Sequence, residues 1–130
     1  QVGIVFQFFQ LVPTLTVVEN VVLAMDLVGK LPRKTRNHRA MELLDQMGVA
    51  SHSRKLPSHI SGGEQQRVGI ARAIVHSPPL LLADEPTGNL DPETSEEILD
   101  LFYRLNKQGK TVIMVTHDYA AELSKHRYRL

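Results

Sequence analysis

Residues 80–91 read LLLADEPTGNLD, an apolar run that ends in two adjacent carboxylates, Asp84 and Glu85. Leaving such charges unpaired at the edge of a core costs on the order of several kcal/mol. A cation or a reacting group is therefore expected beside them. Two more polar side chains follow apolar runs in the same way: Gln7 after VGIVF and His117 after TVIMVT. If the three runs are parallel strands, their carboxyl ends form one edge, which is where open α/β sheets bind ligands. A carboxylate can hold Mg²⁺ through hard oxygen contact, and a second can orient or deprotonate water. Glutamine can position water, and histidine can donate to a phosphoryl oxygen. This is an inventory for phosphoryl transfer.

The block ISGGEQQRVGIARAI, residues 60–74, carries a different device. Gly62 and Gly63 at a helix N-terminus would leave the first backbone N–H groups open to an anion, which the helix dipole also favours, and Ser61 would add a hydroxyl. Ser61 and Glu64 also have the spacing of a capping box, which does no more than start a helix. Both readings fit the spacing. The other candidates have plain alternatives too. Gln7 and His117 can be solvated loop residues, and Asp91 before Pro92 is a helix start in its own right. The Asp84–Glu85 pair is the hardest to explain by packing.

The elements that must position these residues follow from periodicity. Residues 2–6 and 111–116 are continuous apolar runs rich in β-branched residues, and residues 80–83 are a third. All three are expected to be strands covered on both faces. Residues 16–28 carry a helical stripe that opens with a Thr16–Glu19 capping box and is stopped by Gly29 and Pro32. A second helix is expected over residues 33–47, capped by Gly48, and a third over 61–76, ended by Pro78 and Pro79. A fourth starts at Asp91 and Pro92 and closes at Gly109. Residues 80–116 thus spell a strand–helix–strand crossover with parallel strands. The only linker-like stretch is 50–59. This division predicts a core strand over 1–13, a helical subdomain over 14–78, and a return to the core over 79–130.

Composition narrows the classes. The chain has 130 residues and 42% hydrophobic content, enough for one core of ordinary size. Its 15 Lys+Arg stand against 14 Asp+Glu, so no whole-molecule field argues for a nucleic-acid partner. The basic run of Lys30, Arg33, Lys34, Arg36 and Arg39 lacks interleaved aromatics and reads as a solvated face. With no cysteine, disulfide scaffolds and thiolate metal sites are excluded. No apolar run is long enough to span a membrane, and the N-terminal residues have no charged region of the signal-peptide kind.

ISGGEQQR, then LLLADEPTGNLD, then VIMVTHD resembles the ATP-binding cassette (ABC) ATPases, whose signature block, Walker B strand, D-loop and switch histidine occur in this order. VFQ ahead of a helical block resembles their Q-loop. The wording SGGEQQRVGIARAI and ADEPTGNLD is similar to ATPases of lipoprotein-releasing and macrolide-export systems. The resemblance implies a P-loop NTPase-like (RecA-like) α/β core with an inserted helical subdomain, and ATP and Mg²⁺ as cofactors. It also implies a transmembrane permease partner, a second ATPase subunit arranged head to tail, and a place on the cytoplasmic face of the membrane. By this resemblance Gln7 contacts Mg²⁺ and the attacking water. Ser61, Gly62 and Gly63 bind the γ-phosphate held by the opposite subunit, with Glu64 where many relatives have Gln. Asp84 holds Mg²⁺, Glu85 is the base or polariser of water, Asp91 belongs to the D-loop, and His117 contacts the γ-phosphate.

The family's phosphate loop, G-x-x-x-x-G-K-[ST], does not occur in these 130 residues. The Gly-Lys-Thr at 109–111 follows a helix and precedes a strand, so no helix N-terminus faces a phosphate there. The chain is accordingly expected to be the middle and late part of a domain without its Walker A strand and loop, exposing unpaired sheet edges prone to aggregation. An alternative is a non-catalytic module that donates Ser61 and Gly63 to ATP held by an intact subunit. An ABC ATPase of DNA repair or chromosome organisation is disfavoured, since no coiled-coil heptads lie between Gln7 and Ser61. Calorimetric titration of the 130-residue polypeptide with MgATP is expected to give no useful binding; micromolar affinity would contradict this.

Overall fold

β-branched and leucine-rich runs build the sheet. In the computed structural model, described for residues 2–6, 9–26 and 32–115, strands β1 (Val2–Val5), β2 (Leu80–Asp84) and β3 (Thr111–Val115) pair in that order. Both pairings are parallel, with Val5 beside Ala83 and Ala83 beside Met114. All three carboxyl ends therefore lie at one edge of the sheet. Helix α4 (Pro92–Lys107) makes the crossover from β2 to β3 and packs against β3. It buries Ile98, Leu99, Leu101, Phe102 and Leu105, of which Phe102 and Ile98 are wholly enclosed. Each such side chain contributes about 1.5–3 kcal/mol by leaving water.

The strands are not covered on both faces as expected. Val5, Leu81, Ala83, Val112 and Met114 are buried, whereas Val2 is 53%, Ile4 43%, Ile113 38% and Val115 49% exposed. A continuous apolar run permits burial on both sides but does not supply the covering element. Helix α4 serves one face, and the other keeps much of its apolar surface open among the described residues.

The remaining helices are α1 (Val17–Asp26), α2 (Arg33–Gln46) and α3 (Gly62–Ala73). Val17, Val21 and Met25 of α1, Ala40, Leu43 and Leu44 of α2, and Val68, Ile70 and Ala71 of α3 are buried, and the three helices pack on one another. The expected Thr16–Glu19 capping box is present: the Thr16 N–H donates to Glu19 Oε1 at 2.8 Å, and the Glu19 N–H donates to Thr16 Oγ1 at 3.3 Å. Residues 27–31, with the expected stop at Gly29, lie outside the described residues. Gly48, at φ 76°, ends α2 in the left-handed conformation that glycine adopts without steric cost. Helix α3 ends earlier than the sequence suggests. The Ile74 N–H is shared between the Ile70 and Ala71 carbonyls at 3.1 and 3.2 Å, which tightens and closes the last turn. Ser77, which precedes Pro78, then takes φ 49°, a left-handed conformation outside the extended range usual before proline.

Nor are residues 50–59 a linker. They form two 3₁₀ turns, Ala50–His52 and Pro57–His59. Between them the Lys55 and Ser53 carbonyls accept the Val17 and Val18 N–H groups at 2.8 and 2.9 Å. Polar composition suggested a linker, but these carbonyls satisfy donors that the start of α1 would otherwise leave unpaired. The described chain divides into two compact units, one of Gln1–Phe9 with Pro78–Leu130 and one of Gln10–Ser77. Each is taken by itself below.

One buried polar side chain organises the segment ahead of α1. Asn20 is 1% exposed and accepts the Val12 N–H at 2.7 Å. Its amide group donates to the Val12, Leu15 and Thr16 carbonyls at 3.2, 3.2 and 3.0 Å. The Val12 and Thr16 carbonyls also accept the Leu15 and Asn20 N–H groups, so replacing the side chain with alanine takes a partner chiefly from the Val12 N–H and the Leu15 carbonyl, each worth about 1–3 kcal/mol if left unsatisfied. Asn20→Ala is expected to lower the unfolding free energy by roughly 2–3 kcal/mol in urea denaturation; a loss below about 0.5 kcal/mol would contradict the bonding described.

Candidate functional site

In the sheet-bearing unit, the candidate residues sit where β2 gives way to α4. Asp84 is the last residue of β2 and exposed. Strand alternation puts it on the face that carries Leu80 and Leu82. Glu85 does not continue the strand. It adopts φ 47°, a left-handed conformation that costs a non-glycine residue about 1–3 kcal/mol. Its N–H donates to the Val115 carbonyl at 2.7 Å, and its carbonyl accepts the Gly88 N–H at 3.1 Å. The two acids thus leave the strand in different environments. Asp84 faces solvent, while Oε1 of Glu85 is shut off from it. An exposed carboxylate suits a hydrated cation. One sheltered from bulk water suits the orientation or deprotonation of a single water molecule.

Asp91 has a clear local use. Its carboxylate accepts the Thr94 N–H at 3.4 Å as the N-cap of α4, and Pro92 stands at the first helical position. The hydrogen bonds from the Thr94 hydroxyl and N–H hold its pKa below the ordinary aspartate value. Gln7 and His117, the other strand-end candidates, lie outside the described residues.

In the helical unit, Ser61, Gly62, Gly63 and Glu64 come together at the start of α3. The capping box is reciprocal: Ser61 Oγ accepts the Glu64 N–H at 3.1 Å, and Glu64 Oε1 accepts the Ser61 N–H at 2.8 Å. Capping and anion binding, which compete as readings of the sequence, are compatible here. Ser61 accepts the cap bond through an oxygen lone pair and its hydroxyl also interacts with the Glu64 carboxylate, from which a rotatable hydroxyl can turn to an incoming acceptor. Glu64 is held below the ordinary glutamate pKa chiefly by the Ser61 N–H, against the opposing effect of partial burial.

Two contacts in this unit escape sequence reasoning. His52 Nε2 lies 2.9 Å from Glu64 Oε2, and Arg72 Nη1 donates to the Gln10 carbonyl at 2.8 Å. Gln10 has φ 55°. Burial lowers the Arg72 pKa from its ordinary value. Neither pair has a spacing signature, since each joins segments that only the tertiary fold brings together.

Asp84 is an exposed carboxylate of the hard-oxygen kind that Mg²⁺ accepts. Among the described residues no three His, Cys, Asp or Glu side chains cluster so as to hold a metal by themselves. Mg²⁺ typically takes one or two carboxylates along with substrate phosphates and water, and Asp84 offers one such carboxylate.

The family model for ABC transporters matches residues 1–88. An uncharacterized ABC transporter ATP-binding protein of Mycobacterium tuberculosis H37Rv is 50% identical over 131 aligned residues, covering 100% of this chain and 52% of that protein. The cell division ATP-binding protein FtsE of Streptococcus pneumoniae D39 is 51% identical over 117 residues, covering 90% and 50%. The chain spans about half the length of the curated relatives it matches. Among solved structures, the dimeric ATP-binding cassette MJ0796 in a post-hydrolysis state with ADP and Pi superposes with a TM-score of 0.79 at 43% identity. That match covers 94% of this chain and 54% of the cassette. The parallel sheet, the crossover through α4 and the ordered motifs are thus those of a P-loop NTPase-like α/β fold, and the chain belongs to the ABC transporter family, within its ATPase domain.

Proposed function

We propose that the protein carrying these residues hydrolyses ATP as the nucleotide-binding subunit of an ABC-type export system. In this reading the protein works beside a transmembrane permease and a second ATPase subunit, on the cytoplasmic face of the membrane. The observation that carries the proposal is the start of α3, where the Ser61 hydroxyl, Gly62 and Gly63 stand together at the positive end of a helix dipole. The dimeric state named for the MJ0796 relative supports the paired arrangement. The wording of the signature and Walker B blocks supports the export subtype. Among the described residues no helix is long and apolar enough to cross a membrane.

In this reading residues 1–13 and 79–130 form the catalytic core and residues 14–78 the helical subdomain. Asp84 holds Mg²⁺ through water, and Gln7 contributes beside it. Mg²⁺, when bound with ATP, neutralises charge on the phosphoryl oxygens. Glu85 orients the hydrolytic water and accepts its proton as the water oxygen attacks the γ-phosphorus and the bond to ADP breaks. Ser61, Gly62 and Gly63 donate to the γ-phosphate held by the opposite subunit, and His117 donates to it from the strand end. Glu64 keeps the first turn of α3 in place, and Asp91 sets the D-loop at the subunit boundary.

In the assembled protein, Glu85→Gln is expected to lower ATP turnover by roughly 10²- to 10⁴-fold, the usual worth of general-base assistance, with MgATP still bound. Steady-state phosphate release and equilibrium nucleotide binding measure the two effects; wild-type turnover by the variant would overturn the assignment.

A further inference from the structure

We infer that His52 is a positioning residue for the signature turn: it donates through Nε2 to Glu64, fixing the carboxylate that holds the Ser61 N–H. The inference rests on the proposed role of Ser61 toward a γ-phosphate.

The geometry is specific. Glu64 divides its two oxygens, Oε1 taking the Ser61 N–H at 2.8 Å and Oε2 lying 2.9 Å from His52 Nε2. Each contact restrains one oxygen, so the carboxylate plane is set from two sides. The same residue's N–H donates to Ser61 Oγ at 3.1 Å. Orientation of the serine hydroxyl is thereby coupled to His52 through a single intervening residue. The other ring nitrogen, Nδ1, is buried and has no hydrogen-bond partner among the described residues. A proton on Nδ1 would be a buried donor without an acceptor, so the site selects the tautomer with its proton on Nε2, toward Glu64.

His52 is itself anchored. Its N–H donates to the Val49 carbonyl at 3.0 Å and its carbonyl accepts the Lys55 N–H at 3.0 Å. The turn that holds it is tied to α1 through the Ser53 and Lys55 carbonyls. Charge gives the contact a purpose beyond packing. A carboxylate at the mouth of an anion site opposes the incoming phosphate, and a glutamine there would not. Placing a donor on each oxygen of Glu64 offsets its charge and lets the acidic residue serve at this position.

The test uses the assembled, ATP-hydrolysing protein. Glutamine can place an amide nitrogen where His52 has Nε2, whereas the shorter asparagine can reach only the position of Nδ1. His52→Ala and His52→Asn are expected to lower kcat/KM for MgATP about three- to tenfold, as befits the loss of one partly exposed hydrogen bond to a charged group. His52→Gln should stay within about twofold of the native protein. Equal losses in the Gln and Asn variants, or native kcat/KM in His52→Ala, would overturn the inference. Nitrogen-15 NMR of the unaltered protein gives a readout independent of how the variants fold: a protonated Nε2 and an unprotonated Nδ1 support the inference, and a proton on Nδ1 with Nε2 bare refutes it. Ser61→Ala separates the two levels. If that variant retains full turnover, the γ-phosphate reading of the turn fails; if it loses turnover while His52→Ala does not, only the role of His52 fails.

Discussion

The hydrogen bond from the Glu85 N–H to the Val115 carbonyl, at 2.7 Å, is the constraint on which the strand-end chemistry depends. A strand that simply ran on would send Asp84 and Glu85 to opposite faces. The bond is the last of the β2–β3 ladder and holds the strand end in place; Glu85 itself takes a left-handed conformation at φ 47°, which ends β2 directly after Asp84 and turns the chain toward α4. Parallel pairing supplies the acceptor, because β3 runs alongside β2 in the same direction and its last carbonyl lies level with the bend. The backbone strain is offset by the packing of α4 against β3 and the enclosure of Phe102 and Ile98. Backbone strain of this kind persists where the surrounding structure over-determines it.

The helical unit solves a different problem with similar means. A helix start must satisfy its open N–H groups, and an anion site must leave some of them exposed. Ser61 and Glu64 meet the structural need with a reciprocal cap that keeps a rotatable serine hydroxyl at the helix start. His52 and the 3₁₀ turns behind it hold the cap from the other side. The same few residues therefore start a helix and present donors at its positive end.

Much of this was legible in the sequence. The three strands, the Asp91–Pro92 helix start, the Thr16–Glu19 and Ser61–Glu64 boxes and the glycine after α2 all follow from local rules, and the structure contains each of them. What escaped is non-local or compositional. Residues 50–59 have linker-like composition, yet their carbonyls serve α1. Apolar continuity in β1 and β3 suggested two covered faces, but no sequence rule says how many elements are at hand to cover them. The left-handed conformation of Glu85 had no glycine to announce it. His52 and Arg72 meet their partners through folding alone, so periodicity and spacing are silent about both.

In the proposed pairing each ATP meets the Asp84 and Glu85 of the subunit that holds it and the signature turn of the opposite subunit. The most direct measurement is an experimental structure of the assembled Glu85→Gln protein with MgATP. The expected result has Ser61 Oγ and the Gly63 N–H within hydrogen-bond distance of a γ-phosphate bound by the opposite subunit, with Asp84 facing the Mg²⁺ hydration shell. A nucleotide-loaded structure with Ser61 turned to solvent and the metal remote from Asp84 would contradict it.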